Sequence, residues 1–298
     1  MIVPKRYWQI AKRLTTAQLQ KDDGDDQIIN ESDLFNLDIG RRGRNFFLGF
    51  YSLEGLKLAF EKYEVIRALN EKGFKDIVYD LDTSDPYVHR LTLFNKQKCK
   101  DDILIELVLK KYNVVIDMPF KTPLNGKCFE TVAIEWMCLQ NPYVDFSKKR
   151  PRLPGQKFPG LGLASKSVEL LMIMSWRLNL AGLVNTPDHY HNAYLYSKIF
   201  YYLNPEFQAR LMAIARDLKS YPLDTIAWAI EWDAVLDLTT GKPLKWMVGK
   251  QIVPFNNDLK RLFDSREYNK IVKTKMKDHK FKLNIEKFNE IKAQRSHE

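Results

Sequence analysis

One stretch constrains this chain more than any other. Residues 131–200 read, in order, as an apolar strand (132–139), a basic loop closing on Gly160-Leu161-Gly162, a helix over about 164–180, a short apolar segment at 182–185, and an aromatic helical run at 191–200. A strand that passes through glycines into a helix start leaves the first backbone N–H groups unpaired at the positive end of the helix dipole. Proteins hold phosphates in this way. The donors expected here are the N–H groups of Leu161, Gly162, Leu163 and Ala164, and the cations Lys148, Lys149, Arg150, Arg152 and Lys157 in the same loop suit a further phosphate.

Composition narrows the setting. With 298 residues, 45% of them hydrophobic, the chain can bury one large core or two modest ones. No apolar run approaches the roughly 18 residues a bilayer crossing needs, and residues 1–14 lack a signal-peptide pattern. The expectation is a cytoplasmic protein with no membrane contact. Cys99, Cys128 and Cys138 are odd in number and have no CxxC spacing, which argues for reduced thiols over a disulfide framework or structural zinc. The net charge is +10, and residues 260–298 carry twelve Lys or Arg against six acids. This basic end reads as a solvated amphipathic helix or tail, with a nucleic-acid or acidic partner as the alternative.

Elsewhere the periodicity is ordinary. Residues 1–42 read as a mostly helical entry with a polar run at 21–26, and 46–50 as a short strand. Ser52 is placed to cap a helix over 53–72, and Gly73 to end it. Strands are expected at 77–81, 90–94, 103–109 and 131–139, the last two as an antiparallel pair. Each of that pair holds one acid in an apolar run, Glu106 and Glu135. Helices follow at 207–218 and 224–236, then a possible strand near 246–248 or 251–253. The expected organisation is a helical extension (1–45), a main domain (46–255) and a basic helical tail (256–298).

Two sets of residues carry a resemblance: Gln156 followed by Gly160-x-Gly162, and Asn192-Ala193 followed by Tyr196-x-x-x-Phe200. Around them, residues 46–200 resemble the GNAT superfamily of acyl-CoA-dependent N-acyltransferases. The turn here is one residue longer than the family spacing, Pro159 removes a donor, and residues 140–154 separate strand from turn. The resemblance implies an α+β, three-layer α/β/α fold with a mixed, mostly antiparallel sheet, a splayed strand and flanking helices. It implies an acetyl-CoA or other acyl-CoA co-substrate, with Gln156, Lys157, Gly160, Arg152 and Asn192 joining the four amides, and an amine acceptor.

Acyl transfer to an amine needs a base for the ammonium proton and an acid for the departing thiolate. Motif position makes Tyr196 the acid. Glu135 is the candidate base, directly or through water, with His189 as second choice. Against these roles, Tyr190, Tyr194, Tyr196, Tyr201 and Tyr202 also suit an aromatic packing face. His189-x-His191 beside Asp188 lacks a third separated ligand, so no metal is expected. Ser165-Lys166-Ser167 has the wrong order for a P-loop, and the strand before the loop does not open a Rossmann βαβ unit. The alternatives are a non-catalytic GNAT-like binding protein and a nucleic-acid-associated protein.

Overall fold

In a computed structural model of the chain, residues 3–21 and 46–295 are described. The helices are α1 (Lys5–Arg13), α2 (Thr16–Leu19), α3 (Leu53–Lys62), α4 (Val65–Asn70), α5 (Ala164–Arg177), α6 (Tyr190–Leu195), α7 (Pro205–Asp217), α8 (Leu223–Glu231), α9 (Asn257–Asp264), α10 (Arg266–Asp278) and α11 (Ile285–Arg295). The strands are β1 (Ile77–Asp82), β2 (Val88–Asn95), β3 (Ile103–Val115), β4 (Cys128–Leu139), β5 (Gly182–Asn185), β6 (Tyr201–Tyr202), β7 (Val235–Asp237), β8 (Lys242–Pro243), β9 (Gln251–Pro254) and β10 (Phe281–Leu283). Seven form a mostly antiparallel sheet in the order β1-β2-β3-β4-β5-β9-β6, and three form a second sheet, β10-β7-β8. The class is α+β, as expected. No helix among the described residues is long and apolar enough to cross a membrane.

The chain divides into two compact units: Met1–Asn113, Glu130–Val144 and Gly160–Leu183 form the first; Val114–Phe129, Asp145–Pro159 and Val184–Glu298 form the second. In the first unit β1, β2 and β3 make an antiparallel meander with Thr92 opposite Glu106. Glu106 pairs with Arg90 on the neighbouring strand. Leu93, Leu104, Leu109 and Val132 are fully buried, each removal from water contributing roughly 1.5–3 kcal/mol. Buried Thr131 has its hydroxyl satisfied by the Tyr112 carbonyl at 2.7 Å. Ser52 caps α3, accepting the Gly55 N–H at 2.9 Å. Gly55 is required by space, since a Cβ there would lie 2.0 Å from the Leu19 carbonyl oxygen.

The second unit has its own core, in which Tyr190, Tyr202, Leu211, Ile230, Phe281 and Phe288 meet. Of residues 256–298, read as a basic tail, those described, 256–295, fold into this unit. A clamp holds them: the Arg216 guanidinium donates to the carbonyls of Met276 (2.9 Å) and His279 (2.6 Å), and the Asp217 carboxylate accepts the Phe281 N–H at 2.9 Å. The Arg216 hydrogen bond holds the Asp217 carboxyl below its usual range.

Three expected elements differ. The helix over 53–72 breaks at Glu64, which takes a left-handed φ of 59°. There its carboxylate meets Arg6 at 2.6 Å and its carbonyl accepts from Lys166 at 3.1 Å, so tertiary partners override helix propensity. Residues 46–50 form a turn with an isolated Phe47–Tyr51 bridge in place of a strand. The aromatic helix stops at Leu195, where the Ser197 hydroxyl takes the Tyr194 carbonyl at 2.8 Å and competes with the helical bond. The polar run beyond Lys21 lies outside the described residues.

Candidate functional site

In the first unit the site is built on β4 and α5. Ala181 donates its N–H to the Glu130 carbonyl at 2.8 Å, so β5, only four residues long, begins beside the early part of β4. Thr131, Val132 and Ala133 are buried, whereas Glu135 and Trp136, successive residues on opposite faces, are both exposed. Both faces are therefore open midway along β4. Cys138, on the same strand, has its thiol pushed up to about 11 by burial and then by Glu106, which keeps it from acting as a thiolate at neutral pH.

After β4 the chain makes an excursion and returns. Gln140 and Gly160 form an antiparallel bridge, and the Leu161 N–H donates to the Leu139 carbonyl at 3.1 Å. The intervening residues thus do not separate strand from turn in space. Gly162 has φ +71°, a left-handed conformation that favours glycine. It leads directly into α5, whose N-cap is the apolar Leu163 with no side-chain cap. Pairing occupies the Leu161 amide, a correction to its expected role as a free donor. Gly162, Leu163 and Ala164 remain at an uncapped start with no acidic residue in the first turn.

The other candidates lie in the second unit. The Gln156 side-chain oxygen accepts the Leu153 N–H at 3.1 Å and its carbonyl accepts Arg152 Nε at 2.8 Å. These bonds close the loop on itself and engage the Gln156 side-chain oxygen within the turn. Arg152 also sits over the Phe146 ring, and Lys157 over Phe158. The Arg152 carbonyl accepts from Trp228 Nε1 at 2.7 Å, a tether with no local sequence signal.

Near this loop, His189 Nδ1 lies 3.3 Å from Glu231 Oε2. A carboxylate only accepts, so the neutral ring carries its proton on Nδ1 and presents Nε2 as a base. A Cβ at Gly155 would lie 2.7 Å from Nε2, and Gly155 has φ +76°, so only glycine fits the close approach. Glu231 was missed: it lies 42 positions from His189, and a single acid ending a helix carries no sequence signal. His191 stacks on His189 but is buried, and burial, with His189 next, lowers it to about 4.

Tyr196 caps the C-terminal end of α6 and packs edge-on against buried Phe200. Burial raises its pKa, holding the phenol protonated. Asn192 is exposed on α6. Among the described residues no three of His, Cys, Asp and Glu gather as a ligand set for a metal. Comparisons of the chain with protein-family models, curated proteins and solved structures found no match.

Proposed function

We propose that the protein transfers an acyl group from an acyl-CoA thioester, acetyl-CoA in the simplest case, to an amine. The observation that carries this reading is the open start of α5, brought by the Gly162 turn to the end of a strand on which Glu135 and Trp136 are exposed, one on each face. The amides of Gly162, Leu163 and Ala164 suit the coenzyme diphosphate. In the reaction the amine loses a proton and attacks the thioester carbonyl, and the departing thiolate gains a proton. Exposed Glu135, in the same unit as the α5 start, suits the first proton transfer. His189 as second candidate base and Tyr196, kept protonated by burial, as acid are roles that sequence position assigns to residues of the second unit. Gly160 shapes the turn, and Arg152, Lys157 and Asn192 keep the binding roles that the resemblance assigns.

The internal bonding of Leu161 and Gln156 favours a second reading, a GNAT-like protein that binds the coenzyme without turnover. Titration calorimetry with acetyl-CoA tests the binding common to both, expected in the micromolar range. Absence of heat at high micromolar ligand would remove both readings. Binding without release of free thiol across a panel of amines would leave the second.

A further inference from the structure

The helix α10 carries a feature that acyl transfer does not use. Arg266, Lys270, Lys273 and Lys277 are all exposed, at spacings of four, three and four. At about 100° per residue they fall within an arc of about 60° and run about 16 Å along the helix. Tyr268 and Val272 are buried on the opposite side, the Tyr268 hydroxyl donating to the Tyr202 carbonyl at 2.7 Å. Lys275, the remaining basic residue of the helix, lies off the arc and pairs with Glu206 at 3.2 Å. None of the four has an ion-pair partner among the described residues, although exposed Arg261 and Lys245 pair with Asp258 and Asp233; what sets the four apart from other unpaired surface lysines is their alignment on one helix face.

A row of like charges at helical spacing destabilises a helix by a few tenths of a kcal/mol per pair. A helix selected only for solubility intersperses acids; here Glu267 and Asp278 fall off the arc. The four cations share an open surface with Ser265, Asn269, Thr274 and Asp264. Asp264 is engaged by the Tyr201 hydroxyl at 3.2 Å. The partner that complements such an aligned row carries negative charge extended over a similar length. A lipid surface fits poorly, because membrane-binding helices present an apolar face to the acyl chains, and the apolar face of α10 is buried.

We propose that this face of α10 binds the phosphodiester backbone of a nucleic acid, independently of acyl transfer. Contacts of this kind position without reading sequence, and four of them set the salt dependence: log Kobs against log salt should fall with a slope of about −3 to −4. The test is fluorescence anisotropy of the full chain with single-stranded RNA and duplex DNA at several salt concentrations. The R266Q/K270Q/K273Q/K277Q variant should lose about three to four from that slope, and K273Q alone about one. A control, K5Q/K62Q/K72Q/K75Q, removes the same charge from exposed residues elsewhere and should leave the slope unchanged. Circular dichroism checks folding; if the quadruple variant fails to fold, K273Q carries the test. An unchanged slope in the stripe variants, an equal loss in the control, or binding confined to phosphatidylserine vesicles would each overturn the proposal.

Discussion

The two units treat their polar groups differently. In the first, the notable polar feature is made by backbone: the start of α5 has no cap, and the only buried side-chain polar atom without a partner among its described residues is the Tyr63 hydroxyl. In the second, Tyr190, His191, Tyr202, Trp232 and Gln251 all bury polar atoms without a protein partner; of its helix starts, Asn204 caps α7, Asn256 caps α9 and Ser265 caps α10, while α6 and α8 begin without a side-chain cap. A capped start has its donors satisfied; an open one keeps donors for a ligand. Each buried unpaired group weighs against stability by about 1–3 kcal/mol. The contrast that holds is in the cores: the second unit buries more unpaired side-chain polar groups, the titratable His191 among them, and is the one sensitive to proton uptake.

The largest expected effect is acid sensitivity of the second unit. His191 has a folded pKa of about 4, set first by burial, below the unfolded value of about 6.5. Below about pH 6.5 the unfolded chain binds more protons, so stability is lost as pH falls toward 4, by about 3 kcal/mol over the window. Thermal melts across this range should show the loss in the native chain and a flatter profile in His191→Asn. Equal slopes in both would break the contrast. Next, Arg216→Ala should lower stability by about 2 kcal/mol by releasing the carbonyls of Met276 and His279, and hydrogen exchange should rise over residues 276–283. Asp217, lowered by the same arginine, adds stability that is lost only as pH falls through its folded pKa, at the acid end of the scan.

A smaller change sharpens the other side of the comparison. Gly162→Asp places a carboxylate at the open start of α5, in space with no atom within 4 Å of the added Cβ. The strained φ costs about 1 kcal/mol, partly offset by the helix dipole. Acetyl-CoA affinity should fall at least about tenfold, or about 1.4 kcal/mol, while the melting temperature moves little. Undiminished affinity would show that the diphosphate sits elsewhere. The smallest effect is a gain: Gln251→Met, at a fully buried position whose side-chain amide has no protein partner, should stabilise by about 1 kcal/mol.

Local signals in the sequence carried far. The Ser52 cap, Gly73 with φ +93°, the long apolar runs of β3 and β4 and the helix after Gly162 are each written within a few neighbouring residues. What failed depends on partners distant in sequence. Glu64 breaks a helix because Arg6 and Lys166 hold it. The C-terminal segment looked like a tail because Phe281 and Phe288 are sparse, yet each reaches a core assembled from α7 and α8. Glu231 meets His189, and Trp228 tethers Arg152, across separations that no periodicity marks. Gln140 bridging Gly160 reconciled an excursion that spacing alone had made a discrepancy.

The threading of the chain through its units has a consequence for how it is made. Neither unit is one continuous segment: the polypeptide leaves the first at Val114, re-enters at Glu130, leaves again at Asp145, returns at Gly160 and departs after Leu183. During synthesis the first unit cannot close until residue 183 has emerged, and two pieces of the second wait for the remainder to arrive. Separate expression of contiguous N- and C-terminal halves should therefore yield insoluble or unfolded material, and recovery of folded protein would require both fragments to be produced together.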